Sequence, residues 1–273
     1  MAITTVDQAI AGMTQPAEIA KAVTGTLVAG RAHSLWYLAG IPAAGAAASV
    51  GLVGEQVLGG GAIRRTGQMD FTNPTSGSTY LARFQGQALI AGTLMLCDRL
   101  WHNNGYDVTS SASQTFTGSC PIPARDNYAS ASGFGVYAAV EISSATAAGT
   151  PTLTLYYTDQ DGNTGASSNN IFATAASPIQ GTFFIMGLAQ GDVGIRRADG
   201  LKLSATWTSG SIQTVLFRIL SRLELTAGNV PNAVDVLTGG RVPIPDNACP
   251  FLVFIPSTTT TGNITGHAIW TQG

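Results

Sequence analysis

The sequence predicts an all-β protein: a β-sandwich, with a jelly roll among its variants, carrying an extended N-terminal arm that contains short helices. Three observations predict it. From about Phe71 onward, short apolar runs are separated by turn residues at the spacing of a sandwich or barrel. In TVLFRILSRLEL, Val215, Phe217, Ile219 and Leu223 fall on one face while Arg218, Arg222 and Glu224 fall on the other, a two-residue period. No long amphipathic helical stretch accompanies these strands.

Residues 1–60 read as the arm and residues 61–273 as the sandwich domain. In the arm, Val6 to Ile10 has a short helical pattern. Pro16, preceded by Thr14 and Gln15 and followed by Glu18, opens a second helix over Pro16–Val23. After Gly25 neither period persists. The stretch SLWYLAGIPAAGAAASVGLVGEQVLGGG is aromatic at one end and small-residue at the other, and reads as an arm ordered by its neighbours. The uncharged run Ala32–Gly54 has the length of a membrane span, but Pro42, four glycines and a weakly apolar Ala-rich centre favour a buried extended segment. Gly59-Gly60-Gly61 reads as a hinge, because the Lys-Ser/Thr of a phosphate-binding loop is missing.

In the domain, Tyr80, Ala82 and Phe84 alternate with Leu81, Arg83 and Gln85. Leu89 through Leu96 reads as one central strand with a bulge at Gly92. TLTLYYTDQDGNTG predicts a hairpin around an Asp-Gly turn. The stretch NVPNAVDVLTGGRVPIPDNA softens into a loop or partner contact, with room for one helix over Val230–Leu237. The final PFLVFIPSTTTTGNITGHAIWTQG supplies two strands joined by a Thr/Gly turn.

Composition narrows the function. Only 10% of the 273 residues are charged and two are lysines. Basic clusters do not exceed Arg64-Arg65 and Arg196-Arg197, which excludes a nucleic-acid footprint. An exterior this poor in charge points to a surface covered by other copies or other proteins. Cys97, Cys120 and Cys249 are odd in number and widely spaced, as suits reduced thiols, and MAITTVDQAIAG lacks the features of a secretory signal.

No constellation reaches the standard of a chemical site. Asp159, Asp161 and Asn163 alternate like calcium ligands, yet Gly162 comes early and no Glu follows, so a hairpin turn is the better reading. Cys97, Asp98 and His102 lie within six residues, but strand alternation sends Cys97 and His102 to opposite faces. His33, His102 and His267 and the cysteines lack the paired spacing of a zinc site. The carboxylate pairs Asp159/Asp161 and Asp98/Asp107 lack the context of a glycosidase. Trp36, Tyr37, Trp101, Trp207 and Trp270 keep a glycan-binding module as an alternative class. No enzyme activity, cofactor or metal is expected.

HSLWYLAGIP, YLARF followed by GTLMLCDRLWHNNG, PARD, LAQGDVGIRR, NVPNAVDVLTGG and the C-terminal PFLVFIPSTTTTGNITGHAIWTQG together resemble virion structural proteins of tailed bacteriophages, over nearly the whole chain. The resemblance implies a particle component made in the host bacterial cytoplasm and located in the virion. Its expected role is a capsid decoration, cement or minor capsid protein that binds the major capsid protein as a homo-oligomer, with a trimer as one form. A tail, baseplate or fibre-attachment protein and a glycan-binding adhesin are the alternatives. Neither nucleic acid nor membrane is an expected partner. Leu35, Trp36, Tyr37, Leu38 and Ile41 are the candidate partner contacts, since aromatic and aliphatic side chains dominate interface energetics.

Overall fold

The computed structural model describes residues 3–61, 64–117, 125 and 133–273. Its first half holds α1 (Val6–Ala11), β1 (Ala17–Leu27), β2 (His33–Ser34), β3 (Gly40–Ile41), β4 (Glu55–Gln56), β5 (Thr79–Ala88), β6 (Gly92–His102), β7 (Gln114–Thr115) and β8 (Tyr137–Ser144). Next come β9 (Leu153–Asp159), β10 (Ala166–Asn169), β11 (Phe183–Ile185), β12 (Ile195–Leu203) and β13 (Ser211–Leu225). The chain closes with β14 (Asn232–Asp235), β15 (Val242–Ile244), β16 (Pro250–Pro256) and β17 (Thr260–Gln272). All pairings among these strands are antiparallel.

Three sheets result. The central one has the order β11-β8-β13-β6-β16-β2, with β4 also on β6. A second runs β14-β5-β17-β1-β3, with β15 also on β5, and a third runs β10-β9-β12-β7. Alternation along β6 and β13 distributes their side chains among three cores. Leu94, Leu96 and Leu223 pack with Ile19, Phe84, Ile264 and Trp270 of the second sheet. Leu100, Trp101 and Leu216 pack with Leu155, Tyr157 and Leu201 of the third. Met95, Cys97, Val215 and Phe217 point the other way and are covered by Ala32, Trp36 and Val57. The central sheet is thus buried on both faces, and the expected all-β sandwich is present.

Several elements differ from expectation. The first helix forms, with Thr5 and Gln8 completing a capping box. Pro16–Val23 is not helical: Ala17, Ile19, Lys21 and Val23 are buried in strand β1, which pairs with β17 and β3. Residues 1–60 therefore do not stand apart as an arm. The run Leu89–Leu96 is not one strand, because a corner at residues 89–91 passes the chain from the second sheet to the central one. At Gly92 a Cβ would lie 2.5 Å from the Ile255 carbonyl, so the glycine permits close strand approach rather than marking a bulge. Val230–Leu237 contains strand β14 instead of a helix. Gly59-Gly60-Gly61 is a packed turn, not a hinge: Gly59 N–H donates to the Asn247 carbonyl at 2.8 Å, and a Cβ at Gly59 would lie 2.2 Å from the Ala248 oxygen.

Bulges lie elsewhere, in β12 and β8 as well as at the three positions that follow. Ala82, Leu100 and Leu220 are extra residues in β5, β6 and β13. Each resets the alternation, so that Leu81 and Phe84, an odd number of residues apart, share one core. The hairpin formed by β9 and β10 is as predicted. Among the described residues no helix is long and apolar enough to cross a membrane.

Candidate functional site

The five candidate contacts lie on residues 32–57, a strap that crosses the back of the central sheet. Leu35 is 1% exposed within the core shared with the second sheet, and its N–H donates to the Leu252 carbonyl at 2.9 Å. Trp36 is 2% exposed, meets Phe251 edge-on at 6.3 Å, and donates its indole N–H to the Ala46 carbonyl at 2.8 Å. Both side chains are spent inside this chain and present no surface to a partner. Tyr37 and Leu38 are half-buried, and Ile41 is 55% exposed. Of the five, Ile41 alone is open to solvent.

Beneath the strap lies a charged chain of contacts that the sequence reading did not assemble. Arg99 Nη2 donates to Glu141 Oε2 at 2.6 Å, and neither side chain has any exposure. The guanidinium also sits 4.7 Å from the ring of Trp36 on the strap and 5.5 Å from that of Phe251 on β16, a cation–π arrangement shared by strap and sheet. Gln213 donates from Nε2 to the same Glu141 oxygen and accepts the Ala48 N–H at 3.1 Å, which fastens the strap's middle. Burial acts to lower the Arg99 pKa, but the facing Glu141 carboxylate outweighs it and the guanidinium stays charged.

At the strap's end, Arg99 Nε donates to His102 Nδ1 at 3.2 Å. The proton of the neutral imidazole therefore sits on Nε2, which lies 3.0 Å from Glu55 Oε1 and donates to it. Burial, then the charge of Arg99, lowers His102 to about 4. Burial alone would raise the Glu55 carboxyl; the hydrogen bond from His102 and the charge of Arg65 hold it below its usual value. The Leu100 bulge brings this about, because it turns His102 back to the side occupied by Arg99. The assumption of uninterrupted alternation along Cys97–His102 thus fails. At the strap's start, Lys21 Nζ donates to the carbonyls of Leu38 at 3.0 Å and Pro42 at 2.6 Å, and burial lowers the ammonium to about 8.

The remaining sequence candidates are structural. Asp98 binds Arg125 through two hydrogen bonds of 3.1 Å and takes the Cys249 N–H at 2.8 Å, so it does not meet His102. Burial raises the Cys97 thiol, and raises that of Cys249 to about 12, so neither is a ready thiolate. Cys120 lies outside the described residues. Asp159 Oδ1 accepts the N–H groups of Asp161 and Asn163 at 2.8 and 2.9 Å, the geometry of a turn that consumes its own carboxylate. Trp36, Trp101, Trp207 and Trp270 are each at most 2% exposed, which removes them as sugar-stacking surfaces. No cluster of three or more potential metal ligands exists among the described residues.

Glu141 and Arg99 had one legible signal: each is a charge inside an apolar strand, YAAVEISS and LMLCDRLWH. A charge at an inward position requires a partner, and the pairing becomes visible only when β6 and β8 flank β13.

No family model matches the chain, and no curated protein matches it. Two solved structures from infectious bursal disease virus align with it weakly. The VP2 subviral particle shows 8% identity over 96% of this chain and 82% of that one, with a TM-score of 0.20. The structure of the Gt strain shows 9% identity over 95% and 82%, with a TM-score of 0.19. TM-scores at this level do not amount to a shared fold.

Proposed function

We propose that this chain is a non-enzymatic structural protein of a tailed-phage virion, seated on the head as a decoration or cement protein and assembled as a homo-oligomer. The observation that carries the reading is the division of side chains between interior and surface. Arg99, Glu141, His33, His102 and all four tryptophans are buried and hold the chain to itself, whereas large apolar side chains are left outside: Val6 at 64% exposure, Ile10 at 58%, Phe134 at 55%, Ile171 at 57% and Leu237 at 82%. On a surface so poor in charge, such positions are suited to being covered by other subunits. Sequence resemblance supplies the phage context.

The strap changes how the cement role works. With Leu35 and Trp36 committed to the protein's own core, attachment runs through the outer surface, where the exposed Ile41 and the half-buried Tyr37 and Leu38 are the remaining candidate contacts. The test adds labelled full-length protein to virions stripped of it and images where density returns. Ordered density on the head lattice is the expected result. Density at the tail, or none on the head, would overturn the head placement and favour a tail component.

A further inference from the structure

Asn104 is the one asparagine in the chain followed by glycine. The pair lies two residues past β6, where the chain turns against residues 48–51 of the strap. Its amide is a clasp: Oδ1 accepts the Gly51 N–H at 2.7 Å, and Nδ2 donates to the Ala48 carbonyl. The Asn104 N–H adds a bond to the Gly51 carbonyl at 3.1 Å. Gly105 is exposed, has φ +84°, and its N–H donates to no group among the described residues.

We propose that Asn104-Gly105 is a self-modification site whose conversion loosens the strap. The Gly105 backbone nitrogen, giving its proton to hydroxide, attacks Cγ of Asn104. A C–N bond forms, the Cγ–Nδ2 bond breaks, and ammonia leaves with a proton from water, closing a five-membered imide. Water then adds to one of the two imide carbonyls and opens the ring to aspartate or isoaspartate at position 104. Glycine favours the first step because no Cβ obstructs the approach of its nitrogen. Asn103 is a poor competitor: its Oδ1 is occupied by the Tyr106 hydroxyl at 3.0 Å and the Thr214 N–H at 2.9 Å, and the residue after it is not glycine.

The product cannot rebuild the clasp. A carboxylate oxygen in place of the amide nitrogen faces the Ala48 carbonyl as acceptor against acceptor, and a half-buried donor is lost. The isoaspartate form also lengthens the main chain beside Gly51.

The experiment incubates the folded full-length protein in mildly alkaline buffer and follows every asparagine by peptide mass mapping, with limited proteolysis of the strap in parallel. Position 104 is expected to lose its amide ahead of all other asparagines, and cleavage within residues 43–53 is expected to accelerate as it does. An Asn104→Asp variant should show the faster cleavage from the start, and an Asn104→Gln variant should not convert. Retention of the amide in the folded protein, with conversion only after unfolding in urea, would mean that the clasp protects the site and would overturn the proposal. Conversion without any change in strap cleavage would overturn its structural half.

Discussion

Arg99 and Glu141 are the residues on which most of the strap's geometry converges. Both are fully enclosed, so removing one partner leaves an uncompensated charge in a low-dielectric interior. Arg99→Met is therefore expected to lower unfolding free energy by about 3–5 kcal/mol, measured by urea titration. The paired change Arg99→Met with Glu141→Leu is expected to recover a large part of that loss, since no buried charge is stranded. A single substitution as mild as a surface mutation would contradict the enclosure of the pair. Arg99 contributes more than charge: it touches Trp36 and Phe251 through its face, donates to His102, and so links strap, sheet and strap end through one side chain.

At the scale of elements, the strap is fastened near both ends by buried histidines held neutral. His33 accepts the Val28 N–H at 3.1 Å through Nε2, and burial followed by the charge of Arg31 lowers it to about 4; His102 ties β6 to Glu55 and is lowered to about the same value. Between 6.5 and about 4, the unfolded chain binds protons that the folded chain refuses, so stability falls as pH falls through that window. For His33 the loss is on the order of 3 kcal/mol once both states are protonated. Glu55, with its carboxyl lowered, loses its own contribution in the same direction at still lower pH. Urea midpoints taken from neutral to acid pH should decline steadily, and a flat profile would overturn the neutral assignments. Why the sequence misplaced these elements is equally physical. β1 alternates cleanly as Ala17, Ile19, Lys21, Val23, but Pro16 preceded by Thr14 and Gln15 and followed by Glu18 looks like a helical opening. Strands β9, β13, β16 and β17 were legible because period two survives between bulges, but in β13 the extra Leu220 puts Leu223 in a different core from Val215 and Phe217, against the single face expected of them. The bulges at Ala82, Leu100 and Leu220 were not, since an extra residue leaves no mark in composition.

At the scale of the whole molecule, accessible area decides whether an arm exists. The chain exposes 11016 Å², and a compact monomer of 28.0 kDa is expected to expose about 11,100 Å². An arm such as residues 1–60 held away from the domain would add on the order of thousands of Å². None of that excess is present. Instead β1 lies between β17 and β3, and Leu35 and Trp36 fill two different cores. Removing residues 1–60 would strip one side of β17, open the back of the central sheet and expose Phe183, Phe217 and Phe251 together. The truncated chain is expected to lack a cooperative thermal transition and ordered near-UV circular dichroism, and to associate through the uncovered aromatic face. A soluble truncated chain with a sharp transition would restore the division into arm and domain, and with it a mechanism in which the N-terminal segment is free to lie across a neighbouring subunit. Without that result, the proposed binding to a particle would run through a finished surface, its partner sought against exposed apolar positions such as Ile41 and Leu237 rather than against the buried Leu35 and Trp36.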